Sequence, residues 1–405
     1  MAVGPGLFPA MPAIAGIRLA TARAGIRKGP GDDLTIIELA PNSHVAAVFT
    51  RNAFCAAPVV VAKEHLARSR TRWLVVNAGN ANAGTGARGL AAARTTCSAL
   101  ARLTGGTAEQ VLPFSTGVIG EPLPVDALTA AMPAALACLR PDGWPEAARA
   151  IMTTDTRPKG ATATCRIDGR SVTVAGIAKG AGMIAPNMAT MLAFIGTDAR
   201  VAPSALQTLL REAVTDSFNN ITVDGDTSTN DACVLMATGQ AANDLLSPNH
   251  PHWSGFTEAV YEVCRQLAEA IVRDGEGATK LIRIRVEQAR NEAEARQVGL
   301  TVANSPLVKT AFFAGDPNWG RILAAVGRAG IDDMVIDRVH IWLDEVQIVC
   351  GGERAADYRE EDGQQVMARE EITVRIALGR GHAEAEVLTC DLSYDYVRIN
   401  AEYRT

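Results

Sequence analysis

Short apolar bursts divided by turn residues fill the first eighty positions of the chain. LTIIEL (34–39), HVAAVFT (44–50), PVVVAK (58–63) and RWLVVN (72–77) are rich in β-branched residues and predict strands. ARGLAAARTTCSALARL (87–103) then changes period and predicts an amphipathic helix. Strands in series ahead of a helix predict an α/β chain with α+β layering and antiparallel pairing, rather than strict βαβ alternation.

Farther along, helical patterns at 124–138 and in PEAARAIMTT (145–154) precede ATATCRID (161–168) and RSVTVAGIA (170–178), a predicted hairpin turning at Asp168-Gly169. Thr190 to Thr197 reads as a strand, and 203–218 as a helix with Leu206, Leu209, Leu210 and Val214 on one face. ACVLMATG (232–239) and KLIRIRV (280–286) predict strands on either side of a helix over 254–274. VHIWL (339–343), EITVRIAL (371–378) and EAEVLTCDL (384–392) predict further strands, with a polar helical stretch at 358–369. No repeat or low-complexity tract interrupts the pattern.

A length of 405 residues suits about two to three domains. The net charge of −5 opposes a phosphate backbone, so nucleic acid is not an expected partner. Eight scattered cysteines without a C-x-x-C pair suggest reduced thiols, and the N-terminus has three prolines and no basic n-region, so the expected location is the cytoplasm. Val172 to Gly196 is apolar enough to suggest a membrane span. Lys179 near a helix centre would cost about 2.5–3.5 kcal/mol, and Pro186 adds to that, so a core segment with no membrane partner is the better reading.

Several motifs carry little chemistry. GTGARG (84–89) fits G-x-G-x-x-G, but AGNANAG separates it from the preceding strand, which disfavours a dinucleotide turn. His250 and His252 lack an evident third ligand, and Asp224, Asp226, Asn230 and Asp231 lack the sixth-position glycine and closing glutamate of a calcium loop, so no metal is expected. There is no G-x-S-x-G.

KGAGMIAPNMATMLAFIGTDA (179–199) places Thr190 where a glycine-punctuated segment meets a buried strand. A threonine hydroxyl needs a base beside it, and an N-terminal threonine carries one in its own α-amine, with a pKa of about 7.7–8.0. Such a site would first require a cut at Ala189-Thr190. On spacing alone, a strand-entry threonine satisfying a local backbone group explains the residue as well.

The stretch resembles the signature of the ornithine acetyltransferase family, the bifunctional glutamate N-acetyltransferases of arginine biosynthesis. FTRNAFCAAPV (49–59), NAGNANAGTG (77–86), STGVIG (115–120), TTDTRPK (153–159), DGDTSTND (224–231), RDGEGATK (273–280), NSPLVKTAFFAGDPNWGRI (304–322) and the terminal YVRINAEYRT extend the resemblance over nearly the whole chain. It implies an N-terminal-nucleophile-type sandwich with a smaller α+β domain in the later part. Cleavage between Ala189 and Thr190 would give an α chain, 1–189, and a β chain, 190–405, assembled as α2β2. It further implies Thr190 as nucleophile, Thr116 and Gly117 as the oxyanion pair, and Thr156, Lys179, Thr190, Glu276, Asn400 and Thr405 as substrate-binding residues. The implied reaction is ping-pong transfer of acetyl from N-acetylornithine to glutamate, with acetyl-CoA as a conceivable second donor and no bound cofactor. The rival within the same chemistry is an N-terminal-nucleophile aminopeptidase or amidase, in which water accepts the acyl group.

Overall fold

The computed structural model describes residues 2–6, 8–185 and 191–402. The first part of the chain forms β1 (Ile17–Ala22), β2 (Leu34–Leu39), β3 (His44–Phe49), α1 (Ala57–Arg68), β4 (Trp73–Asn80), α2 (Gly86–Thr104) and β5 (Val111–Val118). It continues with α3 (Val125–Ala137), α4 (Trp144–Ala150), β6 (Lys159–Ile167), β7 (Arg170–Lys179), β8 (Leu192–Thr197), α5 (Pro203–Asp216), β9 (Ala232–Ala237) and α6 (Trp253–Arg273).

These strands make two sheets, ordered β1-β2-β4-β5 and β3-β9-β8-β7-β6. Side chains alternate across a strand, so each strand serves two cores. Leu74, Val76, Leu192, Phe194, Val234 and Met236 pack between the sheets, where Phe114 meets Phe194 edge to face with centroids 5.1 Å apart. Val75 and Ile36 face α2 and α3, while Ala193, Ile195, Cys233 and Leu235 face α5 and α6. The result is a four-layer αββα sandwich whose central strands are buried on both faces, which is why their sequences read as unbroken apolar runs.

The later chain forms β10 (Leu281–Ala289), α7 (Glu292–Ala303), α8 (Pro306–Ala314), α9 (Trp319–Gly327), β11 (His340–Leu343), β12 (Val346–Cys350) and β13 (Glu353–Arg354). It ends in α10 (Glu360–Met367), β14 (Glu371–Ala377), β15 (Ala383–Cys390) and α11 (Tyr394–Glu402). Its six strands, ordered β13-β12-β11-β14-β10-β15, have a separate core under α7 to α10. Among the described residues no helix is long and apolar enough to cross a membrane.

The α/β layering agrees with the sequence pattern, and two expectations change. PVVVAK is the first half of helix α1, not a strand. Pro58 sits in the helix's first turn, where its missing N–H is no loss, and Pro58, Val61, Ala62 and His65 are buried at helical spacing. Pairing is mixed: β4–β5, β8–β9 and β10–β14 are parallel, the first joined through α2 as a βαβ unit.

Candidate active site

The parallel pairing of β4 with β5 brings Gly79 opposite Gly117. Gly117 has φ +133°, and a Cβ there would lie 2.2 Å from the Gly79 carbonyl carbon, so only glycine permits this approach. Asn230, in the loop before β9, donates to Ala81 O at 2.6 Å and Ser115 O at 2.9 Å, tying that loop to the end of β5.

After β7 the chain is fastened at almost every residue. Gly180 N–H donates to Asp155 Oδ1 at 2.7 Å, and Ala181 O accepts from Glu276 N–H at 2.8 Å. Gly182 lies flat against the Glu276 carboxylate, which a Cβ would meet at 2.4 Å. Met183 holds φ +56°, its N–H donating to Asp224 Oδ2 at 2.6 Å, while Ile184 N–H donates to Asp224 Oδ1 at 2.9 Å. Beyond residues 186–190, Met191 O accepts from Ala232 N–H at 3.0 Å and Leu192 opens β8. Both flanks of the predicted cleavage point are therefore held by the sandwich.

Between these elements lies a cavity of about 260 Å³. Its wall contains Thr116 and Gly117 from β5, Thr153 and Thr154, Lys179, Met191, Ser228 to Asp231, Glu276 and Asn400. Asn400, on α11, donates from Nδ2 to Glu276 Oε2 at 2.7 Å. An ammonium and carboxylates around so small a volume suit a small zwitterion.

The electrostatics behind the wall are unusual. Asp155, Lys159 and Asp274 have side chains no more than 1% exposed, with Lys159 Nζ 2.6 Å from a carboxylate oxygen of each aspartate. Lys179 Nζ lies 4.0 Å from Asp155. Burial works against ionisation of Asp155, yet the charges of Lys159 and Lys179 hold its carboxyl well below the usual carboxylate range. Burial lowers the Lys179 ammonium, opposed by Asp155 and, more weakly, by Asp231 and Glu276. Burial also pushes Asp231 well above its ordinary value, against hydrogen bonds from Ser228 and Met191 N–H and the charge of Lys179.

Of the residues singled out from the sequence, Thr116, Gly117, Lys179, Glu276 and Asn400 share this one cavity. Ala189, Thr190 and Thr405 lie outside the described residues. Thr156 does not line the cavity: its N–H and hydroxyl both donate to Asp274, and the neighbouring Thr153 and Thr154 form the wall instead. Ser228, Asp155 and Lys159 were not singled out, and Asp231 only as part of a calcium-loop pattern that was set aside, although all stand in the motifs DGDTSTND and TTDTRPK. The aspartate cluster at 224–231 has a local task, with Asp224 anchoring Met183 and Ile184. His250 and His252 face Asp168 at 3.6 and 3.7 Å and are not part of the cavity wall.

A larger cavity of about 590 Å³ lies between α6 and the C-terminal sheet. Many of its charged groups pair with one another, as Arg265 does with Asp216 at 2.7 Å and Arg273 with Glu269 at 2.8 Å, and it contains none of the predicted site residues. The smaller cavity is the better candidate on its chemistry.

The pattern of the ArgJ family matches residues 18–405. The arginine biosynthesis bifunctional protein ArgJ of Methylococcus capsulatus is 65% identical, over 97% of this chain and 96% of its own. Its namesake from Pseudomonas syringae pv. tomato is 54% identical over the full length of both. Among solved structures, a chain of the ArgJ protein from Bacillus halodurans is 40% identical with a TM-score of 0.49, covering 50% of this chain and 95% of that one. A chain of the Mycobacterium tuberculosis ornithine acetyltransferase, complexed with ornithine, is 36% identical with a TM-score of 0.39, covering 44% and 94%.

Proposed function

The chain belongs to the ArgJ family, and from that premise we propose that it is an acetyltransferase of arginine biosynthesis, moving acetyl from N-acetylornithine to glutamate through an ester on Thr190. The observation that carries this reading is the convergence of Thr116, Gly117, Lys179, Glu276 and Asn400 on one cavity whose wall includes Met191, the residue after Thr190.

Maturation begins with attack of the Thr190 hydroxyl on the Ala189 carbonyl. The peptide C–N bond breaks as the nitrogen takes the hydroxyl proton, and water hydrolyses the resulting ester. Thr190 then carries a free α-amine, which is the base its hydroxyl needs. In the first half of transfer, that hydroxyl attacks the acetyl carbonyl of N-acetylornithine and passes its proton to the amine. The oxyanion is received by the Thr116 hydroxyl and the Gly117 N–H, a donor of that kind being worth about 2.7–4 kcal/mol. The amide C–N bond breaks, ornithine leaves with the proton, and the acetyl group remains on Thr190. The glutamate amine then attacks the ester and the threonine hydroxyl is regenerated.

In this scheme Lys179 pairs with the substrate carboxylate and Glu276, oriented by Asn400, with the ornithine side-chain ammonium. Thr405 is assigned to the same site by the family resemblance alone. The reading extends to acetyl-CoA as a second donor and to an α2β2 assembly of the two chains.

The test is incubation with N-acetylornithine, with and without glutamate. A transferase releases ornithine rapidly only when glutamate is present and yields acetylglutamate in equal amount. Rapid release of acetate and ornithine without glutamate would instead identify an amidase. Acetylglutamate formed from acetyl-CoA would establish the second donor.

A further inference from the structure

Lys159 opens β6 with its side chain only 1% exposed. Its ammonium donates to Asp155 Oδ1 and to Asp274 Oδ2, each at 2.6 Å, and to Arg157 O at 3.4 Å. Asp155 in turn holds two parts of the cavity wall, and Asp274 stands beside a third. Asp155 accepts the N–H groups of Thr153 at 3.0 Å and Gly180 at 2.7 Å and lies 4.0 Å from Lys179 Nζ. Asp274 accepts the N–H of Thr156 at 3.0 Å and stands two residues before Glu276. One ammonium thus joins three segments, remote in sequence, that supply Thr153, Lys179 and Glu276 to the cavity.

The cluster is also balanced, with two lysines and two aspartates. Apolar side chains of similar volume would hold these segments together as well or better, because burying ions is costly. They would not govern the charge that Lys179 feels. Without Lys159, Asp155 would have Lys179 as its nearest cation, and the ammonium would be drawn back from the cavity toward it.

We propose that Lys159 is a positioning residue for the amino-acid substrate. By neutralising Asp155 and Asp274 it leaves the Lys179 ammonium directed at the substrate carboxylate and keeps Glu276 in place. The proposal rests on the reading of this cavity as an amino-acid site. The charged groups that act on Lys179 are Asp155, Lys159, Asp231 and Glu276. Removing Lys159 takes away a repelling charge, so Lys179 would keep its proton to higher pH. Removing the Asp155 charge, the strongest attraction on Lys179, does the reverse.

The experiment is steady-state kinetics with N-acetylornithine as a function of pH for the wild type, Lys159→Met, Asp155→Asn and the double variant, each checked for cleavage and thermal unfolding. Lys159→Met should raise KM by about tenfold or more with a smaller change in kcat. The alkaline limb of kcat/KM should move to higher pH in Lys159→Met and to lower pH in Asp155→Asn, opposite shifts that a merely structural role does not produce. The double variant removes the anion that would draw Lys179 back and should recover most of the lost affinity. A folded Lys159→Met with wild-type KM and pH profile would overturn the proposal, as would a double variant no better than the single one. Should Lys159→Met not fold, Lys159→Gln decides: an alkaline limb moved to higher pH supports the proposal and an unmoved limb overturns it. A wild type that transfers nothing to glutamate would instead defeat the functional reading itself.

Discussion

In the sandwich the central strands are buried on both faces and one cluster of ionic groups lies inside, whereas the C-terminal sheet covers one face with helices and sets the arginines of β10 on the other. Ile282, Ile284 and Val286 of β10 point into the C-terminal core, and the alternate Arg283 and Arg285 reach across the sheet to Glu386 at 3.1 Å and Glu384 at 2.8 Å. Those pairs are wet and exchangeable. The Asp155–Lys159–Asp274 cluster is buried, with Asp155 held by the N–H of Thr153, a residue of the cavity wall, and Asp274 by the N–H of Thr156 just behind it. A charge in the first setting tunes a surface, and a charge in the second fixes a geometry. The proposed site lies in the region where burial makes each polar group expensive to misplace.

The contrast can be broken first at its chemical centre. Thr190→Ala should leave a full-length chain on a denaturing gel and abolish transfer, because in the proposed mechanism it removes both the nucleophile and the hydroxyl that cuts the chain. Next comes Gly117→Ala, whose methyl would meet Gly79 at 2.2 Å and displace an oxyanion donor. Its kcat should fall by about 10²–10³. A smaller effect is expected in pH dependence. Burial lowers Lys179, so binding of the substrate carboxylate should be lost as pH rises through a value below the usual lysine pKa of about 10.4, and kcat/KM should decline on that alkaline side. The smallest belongs to the C-terminal sheet. Arg285→Ala should change stability by no more than about 1 kcal/mol in chemical denaturation and leave transfer untouched, since its pair with Glu384 is 47% and 59% exposed.

Legibility in the sequence follows the same division. MLAFI and ACVLMATG were plain as strands because residues buried on both faces form continuous apolar runs, and the hairpin at Asp168-Gly169 carried its own turn signal. PVVVAK misled because five apolar residues, three of them β-branched, fit either period until the following EHLAR is included. The parallel pairing of β4 with β5 was hidden for a different reason, since nothing local to either strand states its partner. At the site, Lys179, Glu276 and Asn400 stood out in motifs, and the fold gathers them. Lys159 stood in TTDTRPK without being marked out. Its burial between two aspartates, one of them 115 residues away in the chain, is a tertiary fact that no window of sequence contains.

The most direct measurement is denaturing mass spectrometry of active enzyme incubated with N-acetylornithine in the absence of glutamate. The account predicts two polypeptides, 1–189 and 190–405, with the second heavier by one acetyl group that disappears when glutamate is added. A fully active sample consisting of one uncut chain, or a 190–405 chain that never gains the acetyl group while transfer proceeds, would contradict it.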